Sequence, residues 1–208
     1  MSVALAICSR TAVVVATDSQ RISSSGVSQA PFNKTFKLRG GVLGAWVGLM
    51  EASSKSIAEH LAAAVGVGAV TITSAAQLAV DVLTPILTAL PDSEVALRHR
   101  RLDLLLASRA GIRSVGFFPE IEGHRLRTEI KDFTPYAAAG EEGARQEVMS
   151  RLAQALHLST LGVAHLRRLT TSVASSAIAE SGPHPHFPMF PGCCEPVNVL
   201  SLPDVNAV

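Results

Sequence analysis

SVALAICSRTAVVVATDSQRI, residues 2–22, decides the fold. Val3 to Ser9 and Thr11 to Thr17 are short apolar runs rich in Val, Ile and Thr, separated by a Ser9-Arg10 turn. They read as a hairpin of two largely buried strands. Termini generally fray unless something ties them down, so a strand beginning directly after the initiator methionine invites a functional reading. Working outward, Asp18 to Asn33 is polar and Ser-rich, with Gly26 and Pro31, and is expected to be a loop. Lys34 to Leu38 and Val42 to Val47 predict a strand pair around Arg39-Gly40-Gly41, closing at Gly48.

Met50 to Val65 and Ser74 to Leu90 are amphipathic and predict two helices, with Ser74 as an N-cap and Pro85 as a kink or break. Leu102 to Ser108 and Ile112 to Phe118 predict a second hairpin, completed by Arg127 to Lys131 and Tyr136 to Ala139. Gly140-Glu141-Glu142-Gly143 opens a helix reaching Leu156, Ser159 caps another reaching Glu180, and Pro196 to Leu202 is a last strand. Segregated blocks of strands and helices, rather than alternating βα units, predict an α+β, four-layer αββα sandwich: two antiparallel sheets covered by helix pairs. With no repeat and no linker, residues 1–208 are expected to form a single domain.

Composition limits the function classes. The 208 residues carry 18 Lys+Arg against 17 Asp+Glu, a formal charge of +1. A dedicated binder of nucleic acid or of anionic membranes normally carries a basic surplus, so neither partner is expected. The run Arg98-His99-Arg100-Arg101 lacks interleaved aromatics and is expected to be a solvated connection or a subunit contact. Three cysteines, Cys8, Cys193 and Cys194, are an odd count with two adjacent, which disfavours a disulfide framework and points to a reducing compartment. The N-terminal apolar run is too short for a signal peptide or a membrane span, so a cytoplasmic protein is expected. His184, His186, Cys193 and Cys194 match no common zinc spacing; neither a metal nor a cofactor is expected.

The chemistry centres on Ser2. Removal of Met1, which a small second residue permits, leaves Ser2 with a hydroxyl and a free α-amine on one framework. An α-amine titrates at about 7.7–8.0, so a useful fraction can accept the hydroxyl proton at neutral pH, and no separate histidine is required.

Counting from Ser2, an Asp lies 16 residues on (Asp18), a Lys 32 on (Lys34) and a Gly 46 on (Gly48). Those offsets match the proteasome β-subunit family, including the peptidase of the bacterial HslUV protease, within the N-terminal nucleophile hydrolases. The segment AVVVATDSQRI resembles the family's strand ending in an Ala-Asp-Ser-Arg type segment, NKTFKL its lysine strand, GAWVGL its turn into the first helix, and YAAAGEEGARQEVMSRL its later strand, turn and third helix. The resemblance implies amide hydrolysis with Ser2 as nucleophile. Lys34 would favour loss of the hydroxyl proton by its positive charge, Asp18 would hold that ammonium in place, and Gly48 would offer a backbone N–H to the oxyanion.

Three departures accompany the likeness. The nucleophile is Ser where the family has Thr, which removes a methyl that restricts the rotamer and predicts slower turnover. Glu141 stands where the family's Gly-Ser-Gly turn has a hydroxyl, and of the Asp and Ser near the end of its last helix only Ser181 offers a match.

The family's pocket for the residue before the cut falls on Arg21, Phe32, Trp46 and Met50; Trp46 would fill much of it, leaving small or no preference there, and a core aromatic is the equal alternative for Trp46. Exposed apolar faces on the Met50 to Leu90 helices would mark interfaces. By resemblance these build a homo-oligomeric ring with inward-facing sites, acting on peptide or unfolded protein substrate, with an ATP-dependent unfoldase as candidate partner. A catalytically inactive scaffold ring and a small-amide amidase of the same fold remain the alternatives.

Overall fold

The computed structural model describes residues 2–19, 32–49, 51–52, 55–66, 68–89, 101–120, 125–155, 157–181, 193 and 195–202. The opening hairpin is present: β1 (Val3–Cys8) and β2 (Val13–Thr17) pair antiparallel, with Ala4 opposite Thr17. Strands β3 (Thr35–Leu38) and β4 (Val42–Gly48) follow, then a small hairpin of β5 (Glu51–Ala52) and β6 (Lys55–Ser56). Helices α1 (Ile57–Val65) and α2 (Ile72–Thr88) precede β7 (Leu102–Ser108), β8 (Gly111–Glu120), β9 (Arg125–Phe133) and β10 (Tyr136–Gly140). Helices α3 (Glu142–Gln154) and α4 (Val163–Ala179) and strand β11 (Asn198–Leu202) complete the chain.

The strands form sheets of order β10-β1-β2-β11 and β3-β4-β7-β8-β9, both antiparallel. Their facing surfaces bury mainly small aliphatic residues, among them Ala4, Ala6, Val13 and Val15 against Leu43, Ala45, Leu105 and Ala107. The opposite face of β1–β2, with Leu5, Ile7 and Val14, packs on Val148, Leu152, Leu166 and Val173 of α3 and α4. Phe36, Trp46 and Phe117 concentrate the aromatic bulk in the third interface, against Leu61 of α1 and Ala79 and Leu83 of α2. Covered on both faces, β1 and β2 are buried at every position, which is why they read as unbroken apolar runs. The molecule is thus an α+β sandwich of two antiparallel sheets between helix pairs.

Four expectations need correction. The first helix begins at Ile57, not Met50, because Ser56 and Glu59 form a capping box in which each side chain accepts the other's backbone N–H; a reciprocal cap overrides apolar periodicity. In α2 the N-cap is Thr71, with Ser74 its partner three residues on, and the helix runs through Pro85, whose ring is exposed. Ser159 lies in a 3₁₀ turn, Leu158–Thr160, and α4 starts after Gly162. Strand β10 does not complete the second hairpin's sheet but joins the other one beside β1.

The cap on α1 is open to measurement. Ser56→Ala is expected to cost about 1 kcal/mol in chemical denaturation. The Ser56 backbone and hydroxyl bonds hold the Glu59 carboxyl below its ordinary value, so their contribution is present above the usual Glu range and is lost as pH falls through the lowered pKa.

No helix among the described residues is long and apolar enough to cross a membrane. On α1 the exposed positions include Ala62, Ala63 and Ala64, and Val65 is half-buried. Among the described residues Ile130 is the exposed large hydrophobic side chain, and the outer positions of α2 include Thr73, Ser74, Gln77, Asp81 and Thr88.

Candidate active site

Ser2 immediately precedes β1 and is held from both neighbouring strands. The Asp18 N–H donates to the Val3 carbonyl (3.1 Å) and the Val3 N–H donates to Asp18 Oδ1 (3.0 Å). On the other side the Glu141 N–H donates to the Ser2 carbonyl (3.0 Å). Both peptide groups following Ser2 are therefore clamped at the sheet end, and the residue is only 6% exposed.

Lys34 enters from the second sheet. Its carbonyl accepts from the Trp46 N–H (3.1 Å), which places it one residue before β3. The Nζ donates to Ser2 Oγ at 2.6 Å and to Asp18 Oδ1 at 2.9 Å. Both Lys34 and Asp18 are 0% exposed. A buried ion pair is costly to desolvate and needs further partners to offset that cost; here the Val3 N–H and the Ser2 hydroxyl supply two. An ammonium 2.6 Å from an oxygen also favours negative charge on that oxygen.

Gly48 ends β4 two residues beyond Trp46, at the same end of the sandwich as Lys34 and Ser2. Its φ of +99° turns the backbone out of strand geometry, and a Cβ would sit 2.0 Å from the Arg101 carbonyl oxygen. Only glycine fits such a position, and it is exposed at the sheet end. Ser2, Asp18 and Lys34 are thus brought into one hydrogen-bonded cluster, with Gly48 on the same edge.

Of the pocket residues, Phe32 meets Trp46 edge-on at 6.3 Å between ring centroids, and its carbonyl accepts from Asn198 Nδ2 (3.0 Å). Trp46 itself is 1% exposed and packs among Phe36 and the α1–α2 layer. Arg21 and Met50 lie outside the described residues, as do Met1, Arg98 to Arg100, His184, His186 and Cys194. No group of three or more His, Cys, Asp or Glu that could hold a metal occurs among the described residues.

The structure adds neighbours that sequence reasoning did not single out. Gly140, opposite Val3, has φ +121° and passes so close to Ser2 that a Cβ would meet the Ser2 carbonyl oxygen at 2.0 Å. A Gly opening a Gly-Glu-Glu-Gly turn was the available signal, but its purpose needs the partner strand. Glu141 does not replace the family hydroxyl chemically: its carboxylate accepts from the Ala144 N–H (2.8 Å) and caps α3. Ser181 donates to the Ile178 carbonyl (2.7 Å) at the end of α4, near the buried Cys193 thiol. Burial first, and then the Asp18 carboxylate, push that thiol up to about 12. Cys193 is expected to resist alkylation at pH 8 in the native protein and to react on unfolding, as read by peptide mass mapping.

No protein-family model matches the chain, and no curated protein matches it in sequence. Solved structures do resemble it. The Thiobacillus denitrificans protein BPH, in complex with epoxomicin, superposes with a TM-score of 0.58 at 17% identity, covering 97% of this chain and 98% of that one. Anbu, an ancestral β-subunit from Yersinia bercovieri, gives a TM-score of 0.66 at 16% identity over 97% of this chain and 81% of that one. At such identities the likeness establishes the fold alone: the sandwich of two antiparallel sheets between helix pairs is the one those two structures share.

Proposed function

We propose that this chain, once Met1 is removed, is an N-terminal serine hydrolase that cleaves peptide bonds within a homo-oligomeric ring. The observation that carries the reading is the buried chain of contacts from Asp18 through Lys34 Nζ to Ser2 Oγ, at 2.9 and 2.6 Å.

The steps follow from the positions. Ser2 Oγ attacks the carbonyl carbon of the scissile amide and passes its proton to the Ser2 α-amine. The Gly48 N–H receives the developing oxyanion, a contribution typically worth about 10²–10³ in rate. The protonated amine then gives its proton to the leaving nitrogen, the C–N bond breaks, and an ester remains on Ser2 Oγ. Water, losing a proton to the same amine, attacks the ester carbonyl; the amine returns that proton to Ser2 Oγ as the acyl C–Oγ bond breaks and the carboxylic acid leaves. Lys34 Nζ, held by Asp18, stabilises negative charge on Oγ.

A second reading is favoured by Glu141, whose carboxylate is committed to capping α3 where the resembled family has a hydroxyl near the amine: a catalytically silent ring serving as a scaffold. The ring and an ATP-dependent unfoldase partner rest on the family resemblance, and mass photometry of the purified protein checks the former. Because one structural relative was solved with epoxomicin, that compound is a suitable probe. Intact-mass analysis is expected to show loss of Met1 and one epoxomicin adduct per chain, absent in Ser2→Ala. Retained Met1 with no adduct favours the scaffold.

A further inference from the structure

The five-stranded sheet ends on β9, and no described strand pairs with its outer edge. Which backbone groups face that edge follows from the ladder. The Trp46 N–H donates to the Lys34 carbonyl and the Leu49 N–H to the Arg101 carbonyl, so β4 gives its even-numbered residues to β3 and its odd-numbered ones to β7. Antiparallel neighbours alternate between bonded and non-bonded pairs. Carried through the unbroken registers of β7 with β8 and of β8 with β9, the alternation gives the odd-numbered residues of β9 to β8. The N–H and C=O groups of Leu126, Thr128, Ile130 and Asp132 therefore point away from the sheet.

Nine residues long and without a proline or a bulge, β9 has an edge that can template another strand unless its charges forbid it. Ile130 stands near its centre, 41% exposed. The order of the charges decides which partner fits. Two copies related by a twofold axis pair antiparallel, and the alternation of the ladder requires the axis to pass where one residue faces itself. Centred on Glu129, that residue meets its own copy and Arg127 meets Lys131. Centred on Lys131, two lysines meet, and centred on Thr128, position 125, an Arg, is opposite Lys131. Only Ile130 at the axis avoids every such clash. There Ile130 faces Ile130, Glu129 faces Lys131 on both sides of the axis, Thr128 faces Asp132 and Arg127 faces Phe133. Within one strand Lys131 and Glu129 already touch at 3.1 Å, yet they stay 58% and 37% exposed, so each keeps room for the opposite charge of a second copy.

We propose that β9 is a self-pairing edge that joins two copies of this chain about a twofold axis at Ile130, making one sheet continuous across the axis. The contact does not depend on Ser2 being a nucleophile. It doubles any assembly that other surfaces build.

Sedimentation velocity over a dilution series tests the contact. The wild type is expected to separate into halves of equal mass on dilution. Glu129→Lys replaces two cross-axis ion pairs by two like-charge pairs and is expected to raise the dissociation constant about tenfold. Glu129→Lys combined with Lys131→Glu is expected to restore it, because the exchanged charges meet again across the axis. A wild type that is monomeric throughout, a single variant that associates like the wild type, or a double variant as weak as the single one overturns the proposal. Should the variants fail to fold, hydrogen exchange on the wild type decides. Slower exchange of the Thr128, Ile130 and Asp132 amides at high protein concentration supports the pairing. Exchange independent of concentration, or slowed only by an added unfolded polypeptide, overturns it.

Discussion

Lys34→Met is expected to reduce acylation of Ser2 about 10²–10³-fold and to destabilise the fold by about 3–5 kcal/mol, the cost of leaving a buried charge without its partner. The second effect follows from the complete burial of Lys34 and Asp18 and the 2.9 Å contact between them. In a chain of this size that corresponds to a fall of about 10 °C in melting temperature. Loss of activity alone would not separate a catalytic lysine from a structural one. The pair Lys34→Met with Asp18→Asn does: Asn still offers an oxygen to the Val3 N–H, which donates at 3.0 Å in the wild type, and no unpaired carboxylate remains. The double variant is expected to regain most of the melting temperature and to remain unlabelled by epoxomicin. Labelling at the wild-type rate would remove Lys34 from the mechanism.

Gly140→Ala carries the other large effect. The new methyl would have to occupy a point 2.0 Å from the Ser2 carbonyl oxygen and 2.9 Å from its carbon. These are backbone atoms, already held by the Glu141 N–H, so they cannot swing aside as a side-chain tip would. The φ of +121° is a region that side chains rarely enter. We expect a loss of about 3 kcal/mol or more together with displacement of Ser2 from Lys34, seen as a drop in both melting temperature and acylation rate. Unchanged labelling in a destabilised protein would mean that the β10 contact supports the fold without positioning the nucleophile.

Both substitutions act at junctions between strands far apart in the chain, and they mark where sequence reasoning reached its limit. Strands β1, β2 and β4 were legible because burial on both faces leaves unbroken apolar runs, and β7 because Asp103 is the one charged residue in its run. The 16, 32 and 46 offsets from Ser2 picked out Asp18, Lys34 and Gly48 by resemblance. The start of α1 was misplaced because Met50 and Ala52 were counted into its apolar face, while the reciprocal bonds of Ser56 and Glu59 set the boundary. The small residues of Tyr136 to Gly140 suit either sheet, so local pattern could not assign β10 to β1.

Local chemistry thus determined the strands, the helix faces and the block order that makes an α+β sandwich, because period and burial are written residue by residue. Only the tertiary structure brought Lys34 Nζ within 2.6 Å of Ser2 Oγ and seated Gly140 against the Ser2 carbonyl. Those outcomes depend on which strands become neighbours. The pairing is decided by the shared burial of two whole sheets and carries no mark in any single stretch of chain.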